Sequence, residues 1–190
     1  MAKAAGTLKL SLDEVSQTIN LSKEAGIDLS NDPSLINSIG QDIIDYMVQR
    51  TEAGKAIGGN KDLKKPYSIA YIKSAEFKAF GKKPNEVNMT LTGDMLGAID
   101  LTNTDSDKLK IEIVEDLQVK KSFNHNTGDT VPKRDFFGIT ASELDDILAK
   151  HSDEIDNIKN ELVNTKQSIL ESITQSKLID IINKLTITGV

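Results

Sequence analysis

Residues 87–96 change from one periodicity to another, and this change constrains the fold more than any other part of the chain. Apolar and polar side chains alternate over 87–92, which is the period-two pattern of a half-buried strand. After Gly93 the apolar residues take up helical spacing, and Asp94 lies where the helix dipole favours a negative charge. The stretch predicts a strand, a tight turn and a short helix, with Gly97 allowing another element to pack closely. A mixed α+β domain follows.

Three further segments predict the partners of this strand. Residues 108–115 alternate between apolar and charged side chains, and 101–104 precede them across turn-forming residues at 105–107, so we expect a hairpin. Residues 131–137 predict another strand, at a sheet edge or strand start because Pro132 has no amide hydrogen to donate. The expected fold class is α+β, with a small antiparallel sheet of 87–91, 101–104, 108–115 and 131–137 covered by helices at 33–53, 69–80 and 92–100.

Signals for helix starts divide the rest of the chain. Asp32 and Pro33 suit the cap and first residue of a long amphipathic helix. Ser11 and Glu14 have the spacing of a capping box ahead of a brief helix that reaches Ile19. The expected organisation is an N-terminal arm with a short helix at 1–32, an α+β core domain at 33–150 and a helical C-terminal extension at 151–190.

The extension carries a long apolar seam. Thr140 and Glu143 form a second capping box, and the sequence after them is helical in pattern to about Leu185. Alternating steps of four and three residues, as in a heptad repeat, connect Leu144, Leu148, His151, Ile155, Ile158, Leu162, Thr165 and Ile169. Two interpretations remain open: the seam packs on a partner chain, or one or two helices fold back on their own domain.

Composition and net charge exclude several classes of function. The net charge of −6 argues against a protein that grips nucleic acid by neutralising phosphates. The absence of cysteine excludes disulfides and thiolate chemistry, and two histidines are too few to predict a zinc site. Paired carboxylates such as Asp145 and Asp146 fall on the polar face of a predicted helix. We therefore expect no enzyme activity, no cofactor or metal, no membrane-spanning segment and a soluble compartment.

Five short segments, in this order, resemble a known family. They are Arg50-Thr51 with Gly54, Tyr67-Ser68 with Tyr71, Leu-Thr-Gly-Asp-Met-Leu at 91–96, a His-x-x-Gly at 125–128, and Pro-x-Arg-x-Phe-Phe-Gly-Ile-Thr at 132–140. Together they resemble the tail-completion and virion-morphogenesis proteins of tailed bacteriophages, over roughly residues 45–150. The N-terminal arm and the long helix after His151 extend beyond that family's compact pattern.

The resemblance implies a structural protein of the phage neck, similar to tail terminators. Such a chain would form a ring of identical subunits, hexameric in many members, between the head–tail connector or adaptor and the tail tube. It would be assembled in the host cytoplasm, remain at the head–tail junction of the virion and let viral DNA pass without sequence-specific binding. An acidic lumen would keep that DNA mobile. The alternative is a morphogenesis factor that acts as a helical interaction module and is not retained in the virion.

A ring subunit needs surfaces for its neighbours, and two candidates follow. If 131–137 is a strand, Phe136 and Phe137 point to opposite faces, so one belongs to the core while a neighbour or a helix of the same chain covers the other. The second candidate is the heptad seam. The predicted interface residues are Phe136, Phe137, Leu144, Leu148, Ile155, Ile158, Leu162 and Ile169.

Overall fold

A computed structural model of the chain describes residues 15–63, 66–90 and 92–187, with the side chains of 103–105 and 184–187 left aside. The chain divides into two compact units, with the boundary between Lys150 and His151. The first unit is an α+β domain, as predicted from the sequence, and the second is one long helix. The strands are β1 (Ser16–Asn20), β2 (Ile99–Asp105) and β3 (Lys108–Ile113), and the helices are α1 (Leu21–Ala25), α2 (Pro33–Glu52), α3 (Ile69–Ile72), α4 (Ala75–Ala79), α5 (Asp94–Gly97), α6 (Asp116–Thr127), α7 (Ala141–Lys150) and α8 (Ser152–Ile187).

The described strands form one antiparallel sheet in the order β1-β3-β2. The predicted hairpin is confirmed, because β2 and β3 pair across a turn at 106–107. Alternate residues of β3 are buried, including Leu109, Ile111 and Ile113, as expected for a strand with one face on a core. The central position of β3 explains why its alternation is the clearest in the sequence.

Helix α2 packs across this sheet. It begins as predicted, with the Asp32 carboxylate accepting a hydrogen bond from the amide of Leu35. Gly40 allows the close approach, because a Cβ there would lie 2.6 Å from Leu101 Cδ2. A Cβ on Gly97 would have no neighbour within 4 Å, so the expectation of close packing at Gly97 is wrong and Gly40 fills that role instead.

Two predicted strands do not form. Residues 87–90 have no regular structure, and all four are half-buried, so the alternation separates no core face from a solvent face. Lys82, in a neighbouring turn, donates hydrogen bonds to the side chains of Asn88 and Thr90. These bonds hold two of the polar residues of the alternating stretch against that turn. Leu91 lies outside the described residues. Residues 131–137 are also irregular, because their backbone groups bond to side chains and to single backbone groups of other segments instead of to a neighbouring strand, as described below.

The N-terminal prediction is wrong in a different way. Ser11 and Glu14 lie outside the described residues, but the helix expected to reach Ile19 is replaced by β1, which pairs with β3 along its whole length. Val15 and Ile19 are both buried. Residues four apart lie on one face of a helix and also on one face of a strand. Pairing with β3 decides in favour of the strand.

The remaining helices are shorter or more divided than predicted. The helix expected at 69–80 is split into α3 and α4, because Ser74 caps a new start by accepting a hydrogen bond from the amide of Phe77. Ser68 caps α3 by accepting a hydrogen bond from the amide of Tyr71. The helix expected over 92–100 is only the four residues of α5, since Ile99 already belongs to β2. The long C-terminal pattern is interrupted at His151, between α7 and α8.

Candidate functional site

An ion pair buried in the first unit connects segments that are distant in sequence. Arg50, in the last turn of α2, donates from Nη1 to Glu143 Oε1 at 2.8 Å, and both side chains are almost fully buried. Its Nη2 donates to the carbonyl oxygens of Phe136 at 2.6 Å and Gly138 at 2.8 Å. One guanidinium thus holds both α7 and the segment before it. We call this cluster the Arg50–Glu143 network.

Glu143 is the other centre of the network. Its Oε1 also accepts hydrogen bonds from the Gly58 amide and the Tyr46 hydroxyl, at 3.0 and 3.2 Å. Its Oε2 accepts from the amide and hydroxyl of Thr140, and the Glu143 amide donates to Thr140 Oγ1, so the predicted capping box is formed. Burial alone would raise the pKa of Glu143, but the Thr140 and Arg50 hydrogen bonds outweigh it and lower that pKa.

The side-chain amides of Asn126 and Gln17 satisfy further backbone groups in the irregular segment 131–139. Asn126 Oδ1, near the end of α6, accepts hydrogen bonds from the amides of Phe136 and Phe137. Gln17, on β1, bonds to Ile139 in both directions, donating to its carbonyl at 2.9 Å and accepting from its amide at 2.8 Å. Side chains therefore take the place of a neighbouring strand, as the near-obligatory pairing of buried backbone groups demands.

A cleft of about 630 Å³ lies elsewhere in the first unit. We call it the aromatic cleft, and its lining includes Tyr67, Tyr71, Thr92, Gly93, Asp94, Met95, His125, Pro132 and Arg134. These residues come from four of the five segments that carry the family resemblance. The Arg50–Glu143 network contains Arg50 of the remaining segment, together with Phe136, Gly138 and Thr140 at the end of the fifth, 132–140.

Arg134 joins two walls of the aromatic cleft. Its guanidinium carbon lies 5.4 Å from the centroid of the Tyr67 ring, in cation–π contact, and Tyr67 is packed edge-on against Phe77. Arg134 Nη1 is 3.1 Å from His125 Nδ1, and the Arg134 amide donates to the His125 carbonyl at 2.7 Å. Gly128, at φ +78°, ends α6 so closely to Lys133 that a Cβ would lie 2.8 Å from the Lys133 Cβ. The His-x-x-Gly spacing thus sets the turn that brings Arg134 back to His125.

His125 is therefore a packing residue in the last turn of α6. Burial and the Arg134 charge lower the pKa of His125 to about 4. The imidazole is neutral near pH 7, and its Nδ1 is the acceptor that the always-charged guanidinium requires. In this state His125 does not supply a proton for acid catalysis near neutrality.

We expect this pKa to be visible in solution. Because the unfolded-state pKa is about 6.5, the unfolded chain binds the proton more readily, and stability should fall as the pH drops from about 6.5 towards 4. NMR titration of the ring protons measures the His125 pKa, and a His151→Gln variant assigns the two histidines. The matched control, His125→Asn, should lose this part of the pH dependence. A His125 pKa near 6.5 would contradict the buried contact with Arg134.

The predicted interface residues fall into two groups. Phe136, Phe137, Leu144 and Leu148 are buried in the first unit. Of the two covers expected for the second phenylalanine, a neighbour or the same chain, the structure shows the same chain, and none of the four residues offers a surface to a partner. Ile155 is also buried, and Ile158 is half-buried. Only Leu162 and Ile169 are exposed, by 39% and 53%. Among the α8 side chains that the structure describes, the exposed large apolar residues are Leu162, Val163, Ile169, Leu170, Ile173, Leu178, Ile179, Ile181 and Ile182.

Sequence reasoning missed Gln17, Asn126 and the pairing of Arg50 with Glu143. Gln17 and its partner Ile139 are 122 residues apart, so no local pattern connects them. The capping-box spacing identified Glu143 but could not indicate the guanidinium opposite it. Among the residues that the structure describes, no group of three or more metal-ligating side chains is found, and no helix is both long and apolar enough to cross a membrane.

Comparison with known proteins adds no relative: no family model, curated protein or solved structure matches this chain.

Proposed function

We propose that this chain is a structural subunit of the neck of a tailed bacteriophage, a tail terminator or tail-completion protein that joins the tail to the head connector. The observation that carries the proposal is the placement of the five segments behind the family resemblance. The segments are spread over residues 50–140, and four of them supply most of the residues that line the aromatic cleft. The remaining one supplies Arg50, whose guanidinium bonds to the Phe136 and Gly138 carbonyls of the 132–140 segment. Side chains that meet in this way have a shared structural role, which argues against a chance succession of short matches.

The chemistry of these clusters favours a scaffold. Arg50 and Arg134 are directed at backbone carbonyls, a carboxylate, a neutral imidazole and an aromatic ring, all within the same unit. These contacts fix the backbone between α6 and α7. A rigid subunit with an acidic net charge suits a ring through which DNA must pass without adhering.

The exposed apolar side chains of α8 favour assembly with other chains. An amphipathic helix in water gains most of its stability by packing its apolar face, and α8 presents large apolar residues along most of its length. The same observation also suits the second candidate, a morphogenesis factor that binds neck components during assembly and then leaves. The two candidates differ in whether the chain is retained in the finished particle.

Mass spectrometry of purified virions distinguishes the neck-ring subunit from the transient morphogenesis factor. Particles of the encoding phage, purified on a density gradient and washed in high salt, should retain the chain at a copy number close to that of the other neck proteins. An abundant host cytosolic protein, quantified in the same sample, sets the level of contamination. Depletion of this chain to that level would overturn the neck-ring proposal and favour the transient assembly factor.

A further inference from the structure

Residues 158–169, the first three turns of the exposed part of α8, have the pattern of a self-pairing helix. Ile158, Leu162, Thr165 and Ile169 follow one another in steps of four, three and four residues, so they lie along one side of the helix. Ile158 is half-buried and the other three are exposed. In heptad notation, Leu162 and Ile169 occupy a positions, while Ile158 and Thr165 occupy d positions.

The charges that flank this seam indicate the direction of the partner. The g positions are Glu154 and Glu161, and the e positions are Lys159 and Lys166, all exposed. When two such helices run parallel and in register, each g residue faces the e residue five positions later on the partner. Glu161 then meets Lys166 of the other copy, and Glu154 meets Lys159 in the same way.

An antiparallel pair has the opposite consequence. There, g positions face g positions and e positions face e positions, so glutamates would oppose glutamates and lysines would oppose lysines. Like charges across an interface disfavour that arrangement. Lys159 also bonds to Asp156 within its own helix at 2.9 Å, but both side chains are about half exposed, and such a pair contributes little.

We propose that α8 associates with α8 of other copies of this chain, parallel and in register, through the seam of Ile158, Leu162, Thr165 and Ile169. This inference deepens the proposed function, since it names the partner of the exposed helix and its orientation. A ring with cyclic symmetry permits it, because helices that run along the ring axis stay parallel to one another under rotation about that axis.

The extent of the pairing is limited by the sequence. The next d and a positions, Ser172 and Ser176, are polar, and Leu178 lies on the opposite side of the helix, at 100° per residue. The apolar part of the self-pairing seam therefore covers 158–169, about 18 Å of helix. A seam this short is marginal between isolated peptides, but association of the attached domains raises the local concentration of the helices. The full chain is therefore the object to test.

The chain contains no cysteine, so single introduced thiols report the geometry directly. Thr165→Cys and Ser172→Cys, made separately in the full chain, place a thiol at two successive exposed d positions. Under mild oxidation both variants should form disulfide-linked dimers several-fold faster than Gln167→Cys, the control on the outer side of the same helix. In an antiparallel pair only one position can face itself, so cross-linking of just one variant would overturn the proposal. Equal rates for the control, or no cross-linking by any variant, would also overturn it.

Charge exchange gives a second test in the Thr165→Cys background. Glu161→Lys or Lys166→Glu alone should slow cross-linking, and the two together should restore it, because the pair is re-formed with reversed signs. Far-UV circular dichroism checks that each variant keeps its helix content. Failure to restore the rate would argue against the parallel register. Because these experiments use the purified chain, they can fail while the chain is still found in virions.

Discussion

Replacing Arg50 with Ala should lower the free energy of unfolding of the first unit by about 3–5 kcal/mol, because it leaves the Glu143 carboxylate buried without its counter-ion. The same substitution removes the donor shared by the carbonyls of Phe136 and Gly138. A loss of this size is a large part of the 5–15 kcal/mol that typically stabilises a domain. Urea unfolding of the full chain, followed by far-UV circular dichroism, measures it.

The chain offers a matched control for this experiment. Lys55 and Asp62 form an ion pair of 2.7 Å, almost the same length as the Arg50–Glu143 pair, but about half of each side chain is exposed. Lys55→Ala should therefore cost less than about 1 kcal/mol. Arg50→Lys tests geometry at constant charge, since an ammonium cannot reproduce the planar fork that reaches two carbonyls and a carboxylate. If Lys55→Ala and Arg50→Ala cost the same, the buried network is not what stabilises the unit.

The parts of the fold that the sequence predicted are those set by local chemistry. Helix α2 begins at Pro33 because Asp32 caps it, and the β2–β3 hairpin follows from the clean alternation of 108–115 and the turn-forming residues 105–107 before it. The Thr140–Glu143 capping box is formed as its spacing predicted. In each case the residues that decide the structure are neighbours in the chain.

The wrong predictions share a different cause. Residues 131–137 look like a strand, but Asn126 and Arg50 hold their backbone from two other elements, and Ile139 is held by Gln17 across most of the chain. Ile19 was assigned to a helix because its pairing with Leu109 is invisible from local spacing. Long-range hydrogen bonds override local propensity at these positions, and a single sequence carries no signal for them.

The same reasoning explains how much of the candidate site could be predicted. The segments around Arg50, Tyr67 and Arg134 were identified as patterns, but their meeting in two clusters required the fold. For α8 the sequence alone supplied the heptad spacing, and the structure supplied the exposure of Leu162 and Ile169. Which seam residues remain available to a partner depends on burial: the predicted set is buried up to Ile155, half-buried at Ile158 and exposed from Leu162.

Phe136→Ala and Phe137→Ala should each lower the free energy of unfolding by about 3–5 kcal/mol, with similar losses for the two variants. The two side chains are 1% and 0% exposed, and their rings meet edge-to-face with centroids 6.4 Å apart. Adjacent residues of a strand would face opposite sides, but this segment is irregular, so both can enter one core. Phe80→Ala is the matched control, because Phe80 is 53% exposed and its removal should cost far less.

The double variant adds a sharper test of the shared core. Because the two rings touch, their contributions are coupled, and the loss in Phe136→Ala/Phe137→Ala should differ measurably from the sum of the single losses. Urea unfolding measures the stability of each variant, and sedimentation velocity measures its assembly in parallel. A single variant that keeps wild-type stability but fails to assemble would return that phenylalanine to the subunit interface. Equal destabilisation by both substitutions, with assembly lost only when the fold is lost, assigns both to the core and leaves the exposed face of α8 as the surface on which assembly depends.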